Sequence, residues 1–217
     1  ASDATSQAER IHASMAQYDV VGPYLLVGSG LGAVEARAFA ARYPDEVGGM
    51  VLLDPWHQPL MADAAPRIDA LESQATERRF SWHRLRAWWR KDPDPEFGLP
   101  SQDETAMLAS LRTVKLANAK ARELKVLPRS FEEIQALQSL GQKPLVVLTS
   151  ASLDKDGSDG PWAQGSQAGR IQMDELFSKM STQGKHQVVA GATPVSLICR
   201  QDLADQVVLA IRSCLGR

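Results

Sequence analysis

The stretch that most constrains this chain lies between Tyr24 and Asp54. An uncharged apolar run, Tyr24–Val27, leads into Gly28-Ser29-Gly30-Leu31-Gly32, and a run of helix-forming residues follows until Pro44. A second apolar run, Met50–Leu53, then stops at Asp54-Pro55. Near-continuous apolar runs of this length predict parallel strands covered on both faces, and the helix between them is the crossover that a parallel pair requires. The glycines mark a sharp strand-to-helix turn. Further along, Ser6-x-x-Glu9 predicts a capping box that opens a helix to about Gln17. Pro144–Thr149 and a segment beginning at His186–Val189 predict a third and a fourth strand. Helices are expected near Ile171–Met180 and over Leu203–Leu215, the latter with Val207, Ala210, Ile211 and Cys214 as its apolar positions. Trp56–Leu140 reads as helical, broken by the acidic, proline-rich loop Asp92–Pro100, and Ser150–Gly169 reads as a loop. No internal repeat is present.

The words from Gly22 through His57, GPYLLVGSGLGAVEARAFAARYPDEVGGMVLLDPWH, resemble the strand–elbow–helix–strand unit of the α/β-hydrolase family. The resemblance covers essentially the whole chain, with Trp56–Leu140 in the position of the family's helical cap. It implies three parts: residues 1–55 as the elbow half of the core, 56–140 as the cap, and 141–217 as the rest of the core. The expected fold class is α/β, a parallel sheet with a helical cap insertion, lacking the strands that precede the elbow in the family. A four-stranded sheet of this kind leaves the edge of Tyr24–Ser29 uncovered, and long apolar edges are normally paired or covered. A partner chain over that edge, or a longer product of which this is a fragment, is therefore expected.

In the family the elbow reads G-x-S-x-G, with the nucleophilic serine at the apex of a strained turn. Here Gly28 and Gly32 supply the flanks, but the apex position is Gly30, which has no side chain. Moving the apex to Ser29 would put Val27 and Leu31 where the turn needs small residues. A second reading of the same residues is a dinucleotide fingerprint, Gly28-x-Gly30-x-x-Ala33 with Asp54 as the ribose acid. The helix before the strand and the words from Ala41 to Pro55 weigh against it.

The rest of the catalytic set that the resemblance implies is also altered. The family's histidine loop matches Ala190–Ser196, with Pro194 in the histidine position, and no histidine occurs after His186. The acid would follow Thr149, where Asp154 is the first candidate, with Asp156 and Asp159 behind it; a solvated loop is the competing account of all three. Of the histidines, His57 sits directly after the second strand and is the candidate residual acid/base beside Asp154. His186 is expected to be structural and His12 exposed, while His83 belongs to a basic helix. Gly28, Ser29, Gly30, Leu31, Trp56 and His57 are the expected pocket residues.

That basic helix, Arg78–Lys91, carries six basic residues and three tryptophans with no acid. Arg79, Arg86 and Arg90 fall on one face with His83, and Trp82, Trp88 and Trp89 on another with Leu85. This is the pattern of a membrane-surface or interface helix, or of a cap helix that buries its tryptophans. A net charge of −2 over 217 residues speaks against a nucleic-acid binder. Cys199 and Cys214 form neither a disulfide framework nor a metal pattern, and no cofactor or metal site is expected. No apolar run reaches the length of a membrane span and no leader is visible at Ala1, so a soluble or peripheral chain is expected. The leading expectation for function is a catalytically degenerate α/β-hydrolase-like protein, acting as an interaction or structural subunit or as a binder of an apolar small molecule. The alternatives are a non-hydrolytic tailoring enzyme of lyase, isomerase or cyclase type, and a hydrolase completed by a partner chain.

Overall fold

A computed structural model of the chain describes residues 3–58, 114–152 and 167–216, the side chains of 114–118, 120, 121 and 124 aside. The basic helix 78–91 with Arg79, Trp82, Arg86, Trp88, Trp89 and Arg90, the acids Asp154, Asp156 and Asp159, and most of the expected cap lie outside these residues. The described elements run in the order α1 (Ala4–Gln17), β1 (Tyr24–Ser29), α2 (Leu31–Arg42), a 3-10 turn (Pro44–Glu46), β2 (Val47–Leu53), α3 (Val114–Ile134), β3 (Leu145–Ser150), α4 (Gln167–Ser178), β4 (Gly184–Val189), α5 (Pro194–Cys199) and α6 (Gln201–Cys214).

The four strands form one sheet in the order β1-β2-β3-β4, parallel throughout. Strand alternation splits the core into two layers. Leu145 and Val147 of β3 face a cluster with Phe39, Met50, Leu52, Phe131 and Phe177 under α1, α2, α3 and α4. Val146 and Leu148 face the other side, with Val51, Leu197, Leu203 and Ala210 under α5 and α6. Each such leucine or phenylalanine removed from water is worth about 1.5–3 kcal/mol. The central strands β2 and β3 are buried almost throughout, as their apolar runs require. β1 is just as apolar but lies at the edge, and Val27 is left 46% exposed. The expectation of a buried Tyr24–Ser29 strand is corrected in this respect: among the described residues only Gly28 of β1 is buried, because the strand has one neighbour instead of two.

Several local expectations are also corrected. The first helix starts at Ala4 with Asp3 as its cap, whose side chain accepts from the Ser6 amide at 2.9 Å, so Ser6 is not the cap of a Ser6-x-x-Glu9 box. Two more amides of this helix start donate to α3: Ala4 to Ser130 Oγ at 2.9 Å and Thr5 to Glu133 at 3.0 Å. Groups that a helix N-terminus leaves unpaired are thus satisfied by a second helix. His12 is not simply exposed: it stacks on Tyr43 with ring centroids 4.0 Å apart and reaches Glu46 at 3.0 Å. α4 spans Gln167–Ser178, earlier than the expected 171–180, and its early turns carry side chains that enter the site.

Candidate functional site at the C-terminal ends of the strands

The turn between β1 and α2 has the shape of a nucleophile elbow. Gly30 sits at φ 53° and ψ −113°, a conformation that strains any residue with a side chain and that glycine adopts freely. Its amide donates to the Leu53 carbonyl at 3.0 Å, which ties the apex to the end of β2. Gly28 is required for a different reason: a Cβ there would collide with the carbonyl group of Gly32 and stand 2.8 Å from Ala33 Cα, so strand and helix could not pack this closely. Gly32 meets no such constraint, since a Cβ would find open space.

The apex is both bare and covered. A Cβ at Gly30 would lie 3.2 Å from Trp56 Nε1 and 3.4 Å from Trp56 Cε2, so the indole occupies the space above the elbow. Ser29 shares strand parity with Leu25, which packs on the α5/α6 side of the sheet. Leu31 and Trp56 pack on the opposite side, against the cluster beneath α2. The expected pocket residues therefore divide between the two faces. Pro194 opens α5, where Thr193 is the cap in a reciprocal capping box with Ser196. Pro194, expected at the histidine position, thus stands in the first turn of a short helix.

His57 is buried, and its Nε2 lies 2.6 Å from Asp174 Oδ1. Asp174, on α4, has no solvent exposure at all. Its second oxygen accepts from Thr149 Oγ1 at 2.5 Å, and Thr149 Oγ1 lies 2.8 Å from His186 Nε2. With the threonine hydroxyl donating to the carboxylate, its lone pair accepts from His186 Nε2–H. Every proton in this chain thus points toward Asp174. In this order of donors both histidines present Nε2–H to the chain of hydrogen bonds. His186 joins this network through Thr149, and His57 has a carboxylate partner that sequence spacing did not reveal.

A second polar group caps β2 and β3. Asp54 has φ 43°, and its Oδ1 accepts from the Ser150 amide at 2.9 Å and from Ser150 Oγ at 3.0 Å. Arg170 Nη2 stands 3.6 Å from the same oxygen and donates to the Ser150 carbonyl at 3.0 Å. Burial pushes the Asp54 carboxyl up to about 6, against the lowering effects of Arg170 and Ser150. Asp54 Oδ2 and Arg170 Nε are buried without a hydrogen-bond partner. A carboxylate turned inward onto Ser150 does not suit the ribose-binding role of the dinucleotide reading.

Sequence reasoning missed Arg170 and Asp174. The available signal was an i, i+4 charged pair in a helix whose same face carries Phe177, all three of them buried. Among the described residues no group of three or more His, Cys, Asp or Glu is placed to hold a metal, and no helix is long and apolar enough to cross a membrane.

No protein-family model matches the chain. A sequence match at 51% identity over 41 residues joins it to an uncharacterised protein of Schizosaccharomyces pombe; the match spans 19% of this chain and 8% of that protein. Solved structures are similar over nearly its full length. A putative lipase from Acinetobacter baumannii aligns with a TM-score of 0.64 at 12% identity, covering 99% of this chain and 69% of the lipase. A mutant of the haloalkane dehalogenase DatA from Agrobacterium tumefaciens aligns at 0.63 and 12%, covering 100% and 74%. The putative non-heme bromoperoxidase BpoC from Mycobacterium tuberculosis aligns at 0.61 and 14%, covering 98% and 75%. The chain has the α/β-hydrolase fold. Identities this low establish the fold and leave the activity to be argued from the site.

Proposed function

We propose that this chain is a non-hydrolytic binding protein built on the α/β-hydrolase fold. One observation carries the reading: the elbow keeps its strained geometry at Gly30, yet the apex bears no nucleophile and the Trp56 indole fills the space above it. Acyl transfer by this fold needs a nucleophile, a base within hydrogen-bond reach of it and an orienting acid. Gly30 cannot attack, Pro194 cannot accept a proton, and His57 is engaged with Asp174 inside the protein. What the fold retains is a sheet end closed by polar networks, suited to holding a small molecule without cleaving it. The test is turnover of a panel of p-nitrophenyl and amide substrates by homogeneous protein. Background rates are expected, and turnover that Ser29→Ala abolishes would overturn the reading.

A second reading, a partner chain along β1, is favoured by the contrast between the two sheet edges. β4 carries Lys185 followed by His186 and Gln187, and a charge on an edge strand is how a free edge is protected from pairing. β1 has no charged residue, and Val21 before it is 85% exposed. Native mass spectrometry of the protein from its own source discriminates: a heteromeric mass supports the partner, and a lone chain rejects it.

A further inference from the structure

We propose that Arg37 is the recognition point for a carboxylate-bearing small molecule, seated on the guanidinium where α2, α4 and the Trp56–His57 segment meet. The proposal deepens the binding-protein reading and rests on it.

The starting point is a local rule broken on α2. Ala33, Val34 and Ala40, three or four positions from 37, are buried and share its helix face, so that face packs against the interior. An arginine stands where small residues would be expected. Its guanidinium carbon lies 4.3 Å from the centre of the Phe177 ring, and the ring of His57 lies 5.9 Å from the same centre. The cation–π contact orients the guanidinium plane without neutralising its charge.

Nothing described around Arg37 supplies the missing anion. Nε is buried with no acceptor, and Nη1 makes only a long 3.5 Å contact to the Trp56 carbonyl. Among the described residues no carboxylate lies within ion-pair distance. Asp174 is already shared between His57 and Thr149. Glu35 carries its own burial penalty, sharpened by Glu123 of α3. Burial alone lowers the Arg37 pKa to about 10, with no opposing charge to hold it up. A desolvated, unpaired cation costs a fold several kcal/mol, and a buried unsatisfied donor of this kind asks for an occupant.

The chemistry selects a carboxylate. Its two oxygens match the fork of a guanidinium and supply acceptors to donors that now lack them. The Phe177 ring beside the guanidinium gives the rest of the molecule an apolar surface, so the ligand is an organic acid in place of a mineral ion.

Calorimetric titration with sodium hexanoate and with 1-hexanol, equal in chain length, tests this on wild-type protein and on Arg37→Met and Arg37→Lys. Wild type is expected to prefer hexanoate by about tenfold or more, as one charge-assisted hydrogen bond allows. Arg37→Met should abolish that preference and leave hexanol binding unchanged, while Arg37→Lys keeps part of it. Arg37→Met should also melt at or above the wild-type temperature, since it replaces an unpaired, partly buried charge with apolar volume. A large fall in its melting temperature would overturn the premise that Arg37 is unpaired. Equal binding of hexanoate and hexanol, untouched by Arg37→Met, would overturn the carboxylate assignment and leave the binding reading standing. Saturable binding of neither would overturn the assignment, and the substrate panel above then decides the broader reading.

Discussion

Replacing Asp174 with asparagine changes one heavy atom in a buried polar network that joins α4 to His57 and to the end of β3. The carboxylate accepts from His57 at 2.6 Å and from Thr149 at 2.5 Å, and Thr149 in turn accepts from His186. All of those protons point inward. An asparagine offers one acceptor and one NH2, so every bond survives only if Thr149 turns its hydroxyl toward His186 and His186 changes tautomer, and the charge assistance of both bonds to residue 174 is lost. Each charge-assisted bond contributes about 1.5–3 kcal/mol, and breaking a buried pair by removing one partner costs about 3–5 kcal/mol. Asp174→Asn should therefore lower stability by about 3 kcal/mol, and Asp174→Ala by about 4 kcal/mol, from a total of about 5–15 kcal/mol for a domain of this kind. Urea unfolding at pH 7, with midpoint and slope fitted separately, measures this. Thr149→Val, which removes the middle of the chain and leaves the His57 contact, should cost less than either. The double variant His57→Phe/Asp174→Leu should recover part of the loss, because it removes the His57 donor together with its acceptor. A value for Asp174→Asn within about 0.5 kcal/mol of wild type, the range of unremarkable surface changes, would refute the network as drawn.

Three further outcomes follow from the same geometry. Asp54 has a folded pKa raised from 3.8 to about 6, so its contribution to stability is complete below 3.8 and is lost as pH rises through about 6. Urea unfolding at pH 4 and pH 7 should show Asp54→Asn gaining about 2 kcal/mol on wild type across that interval; a pH-independent difference would contradict the assignment. Gly28→Ala places a Cβ against the backbone of Gly32 and Ala33, and thermal melts should show it among the most damaging single methyl additions, at about 3 kcal/mol or more. Gly30→Ser should cost about 1–3 kcal/mol from the positive φ and the Trp56 contact and restore no esterase activity, because among the described residues the apex faces the Trp56 indole and no base.

The elbow was legible because its constraints are local. A strand, a bare apex and a glycine that strand and helix packing demands all fall within Tyr24–Gly32, and Pro44 ends the following helix. The parallel order of the sheet was legible for the same reason: uninterrupted apolar runs at Met50–Leu53 and Pro144–Thr149 can only be buried on both faces. The buried networks were not. His57 and Asp174 stand 117 residues apart in sequence and meet only because α4 folds its Arg170 and Asp174 side chains over the strand ends. Arg37 reads as a surface arginine in an alanine-rich helix until the position of Phe177 is known. The first helix shows the limit of motif reading: Ser6-x-x-Glu9 fits a capping box, yet Asp3 is the cap and α3 supplies further partners from more than a hundred residues away.

Intact-mass spectrometry after incubation with a fluorophosphonate probe tests the central claim most directly, because the probe reports a nucleophile activated by its neighbours. The elbow with Gly30 at its apex predicts an unchanged mass under conditions that fully label a control serine hydrolase. A stoichiometric adduct that disappears in Ser29→Ala would show that this elbow still carries an active nucleophile, and would contradict the account.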